Sequence, residues 1–562
     1  MKDLKFNDIQ TELKEWITNL PLANPLRVAE LIYAKLAQMP VTEISSAEYA
    51  QLLDLLRPPI NFLNELVQNQ LSNKSLISFI EPSQEIIANL SLLSRYASAY
   101  AILIARMQTD KQHPNDQSLM AVCIHHAIRN LSRILLISYQ LYRIPPENLW
   151  LRLYKLYLQA ERAGIATLPI SHDTYDLQTI ADAFKQCILL ATANPYQLRP
   201  VDMLKLYEAL WQWSQHTKII STNFETVLIV FKLDEDTAPF YKKTNTDSND
   251  SPFLRGLETK LLIERIVSAI KQHGHSLSDQ RAPFSPLILQ GIAQAWSELY
   301  TRTLPRASEE GDIQISIGLT ATHAHISEKK PLLSTQAGTL LQGEREIELL
   351  PDTHLSESKS MIGDPWETSF SQEHVLTSLA TSHPLFTWQV INGSALGYCL
   401  EANIKQMIAL ETGELIGLCN KDEKNAAWRL GSVRWVKRFD ETHFRFGIMF
   451  LGFNPITTMV QVVHSKLNHQ YRAFILSDQK EPELKPSTSA FLLASDNHRY
   501  SIIIPALDLI AEEHLALFFR DQAIGIKLTE PLCLNNKFYQ FKYDIVDLDP
   551  NDILEKVGSE GK

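Results

Sequence analysis

Two short stretches of this chain carry residue types that can hold an anion. In "YTRTLPRASEEGDIQISIG", Arg302 and Arg306 stand four residues apart, just before a strand-like run. Paired guanidinium groups there can clamp a phosphate, meet a guanine edge in fork fashion, or stack on a base. In "WQVINGSALGYCL", Trp388 to Leu400, the segment Asn392-Gly393-Ser394-Ala395-Leu396-Gly397 interrupts a second strand-like run. Asn tolerates left-handed backbone angles, and Gly393 and Gly397 remove side-chain bulk, so backbone N–H groups can approach an anion. The Ser394 hydroxyl adds a further hydrogen bond. Each stretch alone has a plainer reading: arginine pairs are common on helices, and Asn-Gly turns are the default of β-hairpins.

No other constellation points to chemistry. The chain lacks a Walker A loop, an HExxH pair, a GxGxxG turn after a strand and a GxSxG elbow. In "NGSALG" the serine directly follows the first glycine, which is the wrong spacing for a nucleophile elbow. "THAH" places His323 and His325 on one face of a predicted strand, but no third metal ligand is identifiable, and two surface histidines are the simpler reading. His125 and His126 are adjacent on a predicted helix and point apart. An enzyme is therefore not expected.

The elements that must position the two stretches follow from length and pattern. At 562 residues the chain exceeds one hydrophobic core, and its 45% apolar and 21% charged composition is that of a folded protein. A net charge of −11 argues against coating nucleic acid or anionic membrane, but leaves room for a local basic pocket. Five dispersed cysteines without a CxxC pair, a charged N-terminus and no uninterrupted apolar run of about 18 residues suggest a cytoplasmic protein without a membrane span.

Residues 1–222 read as successive helices. Asn24 and Pro25 fit the N-cap and first position of one, and Ser45 with Glu48 forms a capping box that starts another. The second is expected to stop or kink at Pro58-Pro59. Further helices are predicted over 83–108, 117–142, 146–163, 175–192 and 200–216, giving a bundle or solenoid-like array. Aromatic stripes at Trp150, Tyr154 and Tyr157, and at Tyr207 and Trp211, fit packing between helices better than a partner groove. Residues 223–299 form a mixed connector: a strand in "FETVLIVFKL", a polar linker at 243–252, and helices over 253–273 and 285–303.

From Gly311 the chain turns strand-rich, and alternation in "FRFGIMF" and "SVRWV" fits half-buried antiparallel strands of a small barrel spanning 300–465. Residues 327–385, polar and serine-rich, read as a mostly disordered insertion within it. A second small β-domain is predicted at 489–547, followed by a tail at 548–562. The fold class is thus multidomain α+β: an all-α region, an antiparallel β-barrel and a second β-domain.

The RxxxR pair, a strand, and then (D/N)xSxxG at the start of the next strand resemble the PilZ domain, a bacterial receptor for cyclic di-GMP. Arg302 and Arg306 match the first element; Asn392, Ser394 and Gly397 match the second. "WRLGSVRWVKRF" and "FRFGIMFL" are similar to the closing strands of that barrel, and "LPLANPLRVAELIYAKLAQM" to the helical region ahead of it in some large proteins. The resemblance implies that the arginines grip phosphates and guanine bases while the Asn-Ser-Gly loop holds the nucleotide from the barrel surface. It implies a non-enzymatic regulator that binds cyclic di-GMP and signals through protein contacts of its helical region. The departure is spacing: Arg306 and Asn392 lie 86 positions apart (392 − 306), far more than the family's usual interval. The alternative expectation is an interaction scaffold with a degenerate barrel that no longer binds nucleotide.

Overall fold

The computed structural model describes residues 6–39, 43–73, 82–109, 116–170, 178–224, 227–242, 251–273, 284–297, 307, 311–329, 383–403, 410–420, 427–440, 442–464, 488–495, 499–506, 511, 513–519 and 522–546. The chain divides into two compact units: residues 1–303 with 407–409 and 437–442, and residues 304–406 with 410–436 and 443–562.

The first unit opens with eight helices: α1 (Phe6–Thr18), α2 (Pro25–Gln38), α3 (Ser46–Asn73), α4 (Gln84–Thr109), α5 (Gln117–Gln140), α6 (Leu149–Arg162), α7 (Ile180–Thr192) and α8 (Pro200–Trp213). Asn24 caps α2 by accepting the Arg27 N–H at 3.1 Å. At the start of α3 the Ser45 N–H donates to Glu48 and the Glu48 N–H to the Ser45 hydroxyl, at 2.8 and 3.2 Å, which completes the capping box.

Of the expected stop or kink, the stop does not occur: α3 runs on through Pro58 and Pro59. Leu52, Leu53, Leu56, Ile60 and Leu63 all lie in the core, so packing on both sides of the prolines outweighs the missing donors. The Tyr96 hydroxyl also donates to the Leu53 carbonyl at 2.7 Å, one turn before them. By length and composition α4 and α5 could each cross a bilayer, yet half of the most apolar window of α4 and 78% of that of α5 are buried against protein.

Four short strands follow: β1 (Lys218–Ile220), β2 (Ile229–Lys232), β3 (Phe240–Tyr241) and β4 (Leu254–Glu258), ordered β1-β4-β2-β3 in one antiparallel sheet. Helices α9 (Lys260–His273) and α10 (Pro286–Ser297) complete the unit. The predicted helix over 253–273 is therefore a strand and then a helix. Residues Leu254 to Leu257 are buried, as befits a central strand, and Arg255 is held by Glu161 through two bonds of 3.0 and 2.6 Å.

The second unit contains two closed barrels. The first is built from β5 (Gly311–Ile317), β6 (Phe386–Ser394), β7 (Gly397–Asn403), β8 (Leu415–Asn420), β9 (Arg429–Arg438) and β10 (His443–Phe453), with α11 (Leu319–Lys329) between β5 and β6. The other is built from β11 (Ile456–His464), β12 (Thr488–Ser495), β13 (Arg499–Pro505), β14 (His514–Phe519), β15 (Gln522–Leu534) and β16 (Phe538–Ile545). The ring orders are β10-β7-β6-β5-β8-β9 and β11-β12-β13-β16-β15-β14. Counted along each barrel's own strands these are the same ring: the first strand neighbours the second and fourth, and the sixth lies between the third and fifth.

Three sequence expectations change here. Residues 456–464, placed at the end of the first barrel, form the opening strand of the second, because β11 pairs with β12 and β14. The first residues of the expected insertion, 327–329, are the end of helix α11, while residues 330–382, where most of the expected disorder falls, lie outside the described residues. His323 and His325 lie on that helix rather than on a strand, so two-residue spacing sends them to different sides. Nε2 of His323 lies 3.1 Å from the Thr458 carbonyl of the second barrel, and burial lowers its pKa; Nε2 of His325 lies 2.9 Å from the His383 carbonyl, and its ring stacks on Trp428. Together with Ile326, Trp428, Phe491 and Phe538, α11 forms an apolar cluster between the barrels.

Candidate functional site

The (D/N)xSxxG loop is the β6–β7 hairpin, and one irregularity sets which way its side chains face. Val390 pairs with Leu400, both buried, but Asn392 pairs with Cys399, so a bulge falls at Ile391. Opposed residues of an antiparallel pair share a face, and one extra residue reverses the alternation. Without it Asn392 and Ser394 would follow Val390 into the barrel. With it Asn392 and Ser394, opposite Cys399 and Gly397, share the face turned away from the interior, while Gly393 shares the inner face with Tyr398.

Two motif residues have work to do within the hairpin. The Ser394 hydroxyl accepts the Leu396 N–H and donates to the Gly397 carbonyl, both at 3.4 Å. Gly397 sits where β10 crosses so closely that a Cβ would overlap the Ile448 carbonyl oxygen. Asn392 differs: its Oδ1 is buried and has no hydrogen-bond partner among the described residues. An acceptor in that position is costly unless a donor arrives from elsewhere.

On the same face, Cys399 pairs on its far side with Gly447 of β10, and the Trp435 indole of β9 lies over Gly447 in place of a side chain. This row, from Asn392 through Cys399 and Gly447 to the indole, presents a polar acceptor and an aromatic plate. One row along, Glu401 accepts from Arg445 at 2.7 Å.

Arg302 and Arg306 lie outside the described residues; Ala307, directly after Arg306, is described. Ala307 and Gly393 form a two-way bridge, each N–H donating to the other's carbonyl at 3.0 Å. The backbone next to the arginine segment is therefore bonded to the middle of the loop, despite the long interval in sequence.

Sequence reasoning missed Arg429. Its Nη1 donates to the Tyr398 hydroxyl at 2.6 Å, and its guanidinium lies 5.8 Å from the ring centres of Tyr398, Phe450 and Phe453. This cluster occupies the inner face of the hairpin, next to Gly397. Its only sequence signal was an arginine opening a strand, which is unremarkable without knowledge of the barrel's closure. No group of three metal-binding side chains occurs among the described residues.

Comparison with known families agrees with this organisation. A model described as "Cyclic-di-GMP receptor FimW, N-terminal domain" matches residues 11–222. Another, "Cyclic-di-GMP receptor FimW, middle PilZ domain", matches residues 228–380 and 350–454. Over 509 residues the chain is 25% identical to the cyclic-di-GMP receptor FimW of Pseudomonas aeruginosa, which covers 83% of this chain and 81% of that relative. The matched models span the helices, the small sheet and the first barrel, and stop at residue 454, just before β11.

Proposed function

The chain belongs to the PilZ-domain proteins, with the large helical region of the FimW type, and on that premise we propose that it is a cyclic di-GMP receptor rather than an enzyme. The dinucleotide lies on the outer face of the β6–β7 hairpin. Asn392 Oδ1 accepts from a guanine N–H or from a clamping arginine, and Ser394 and Gly397 keep the hairpin in the shape that receives the ligand. Arg302 and Arg306 grip phosphate and guanine, a task suited to their forked, permanent charge. The observation that carries this reading is the bridge between Ala307 and Gly393. Consecutive Cα atoms are about 3.8 Å apart, so Arg306 starts within one residue of the loop.

Output then passes through protein contacts of the helical region, biased because the ligand favours one of two arrangements. The receptor acts in the bacterial cytoplasm, without a nucleic-acid polymer as partner. Calorimetry with cyclic di-GMP at low salt tests the site: wild type is expected to bind, and Arg306→Ala to bind at least about tenfold more weakly, as loss of a charge-assisted bond implies. Absence of heat from wild type would overturn the receptor reading. It would favour the scaffold with a degenerate barrel, for which the internal duties of Ser394 and Gly397 would be the whole explanation of the motif.

A further inference from the structure

The central helix of the first unit, α5, contains no Asp or Glu. Beyond its first turn only Val122, His126, Arg129 and Arg133 are less than fully buried. Their spacing follows one line along the helix, so the single strip of α5 that reaches water carries all of its basic groups except the buried His125. Aromatic side chains from α4 and α8 flank that strip. The guanidinium of Arg129 lies 4.4 Å from the Trp211 ring and 5.5 Å from the Tyr207 ring, and the His126 ring lies 5.5 Å from Tyr100.

The two arginines of this strip form no ion pair among the described residues. Arg129 donates to the neutral Gln186 at 2.6 Å and forms no ion pair among the described residues. Arg133 has neither a hydrogen bond nor an ion pair among them. Burial, and after it the neighbouring Arg129 charge, lower the Arg133 pKa to about 10 against the opposition of Tyr207, Tyr96 and Glu65. Two guanidinium groups held together in a poorly solvated groove, with no ion pair and only the weaker pull of Glu65 to offset them, repel each other.

We infer that this groove over α5, floored by Arg129 and Arg133 and flanked by α4 and α8, is a second ligand site that takes a small phosphoanion. Side chains four apart on a helix stand about 5–6 Å apart at Cβ, so both forks can converge on one phosphate group. Bound there, the anion replaces repulsion with charge-assisted hydrogen bonds, and the rings of Trp211 and Tyr207 hold the Arg129 plane in position. The limited opening suits a compact anion better than a peptide segment.

Calorimetry on the full chain in low-salt, phosphate-free buffer, with inorganic pyrophosphate as the probe, tests the site. Wild type and Arg306→Ala are expected to bind pyrophosphate with the same affinity, and Arg133→Met at least tenfold more weakly. Without pyrophosphate, Arg133→Met is expected to melt no lower than wild type, since the repulsion has gone. Should it melt lower, Arg133→Lys keeps the charge and is expected to bind with reduced affinity, as a point charge in place of a fork. No heat from wild type at millimolar pyrophosphate, or equal affinity in Arg133→Met, would overturn the proposal. So would loss of binding in Arg306→Ala, which would assign the anion to the barrel.

Discussion

The two barrels share one ring of strands but not their equipment. In the first, the hairpin between the second and third strands reads Asn392-Gly393-Ser394-Ala395-Leu396-Gly397 and is bonded to the residue after Arg306. In the second, the corresponding β12–β13 connection reads Ser495-Asp496-Asn497-His498-Arg499, without the serine-to-glycine spacing. Nor can the second barrel have an arginine approach: only Asn454 and Pro455 separate β10 from β11. The shared ring of strands does not itself select a ligand, and in the proposed reading specificity resides in one hairpin and the segment that reaches it. What the second barrel contributes is support. Its Lys537 meets Glu411 and Glu414 of the first barrel at 3.4 and 3.3 Å, and Phe491 and Phe538 close the cluster around α11.

The largest test of this contrast is Gly397→Ala. Because the new Cβ would overlap a backbone oxygen, the variant is expected to lose about 2–3 kcal/mol of stability, in the range of overpacked cores. Chemical denaturation measures it, and an unchanged midpoint would mean that the glycine is there for ligand alone.

A smaller effect probes the support between barrels. Lys537→Ala leaves Glu411 and Glu414 facing each other with side chains only 14% and 13% exposed, at an expected cost of about 1–2 kcal/mol near neutral pH. Burial already raises the Glu414 pKa, and Lys537 opposes that rise. A carboxyl whose folded pKa exceeds its unfolded value contributes stability that is complete below the unfolded value and lost as pH rises through the folded one. The melting point of the variant should therefore fall relative to wild type between acidic and neutral pH. A constant difference would show that the ion pair is not what joins the barrels.

The smallest effect is the most specific. Asn392→Ala removes an acceptor without a partner among the described residues, so the melting point should hold while cyclic di-GMP affinity drops about tenfold. Asn497→Ala, on the corresponding connection of the second barrel, should change neither. If it weakens binding as Asn392→Ala does, the division of labour between the barrels is wrong.

Local rules made much of the helical region legible. Asn24 and the Ser45–Glu48 box start helices as their side chains dictate, since capping is a matter of three or four residues. What failed depended on distant partners. Pro58 and Pro59 are carried within α3 by packing from other helices, and Leu254–Glu258 became a strand because β1 and β2 flank it. His323 and His325 fell in an alternating segment that forms helix in a niche between the two barrels. The motif hairpin itself was visible in sequence, but the bulge at Ile391 that turns Asn392 outward was not, because a bulge shows only in the pairing of two strands.

The step from β10 to β11 has a mechanical consequence. Asn454 takes a left-handed turn at φ 49°, Pro455 has little torsional freedom of its own, and the Asn454 N–H is tied to the Trp428 carbonyl at 2.9 Å. Domains that swing independently are joined by slack, exposed chain; here there is none. Strain arising in β10, one strand away from the Asn392 hairpin, is handed straight to β11, so the second barrel acts as ballast that the first must move with it.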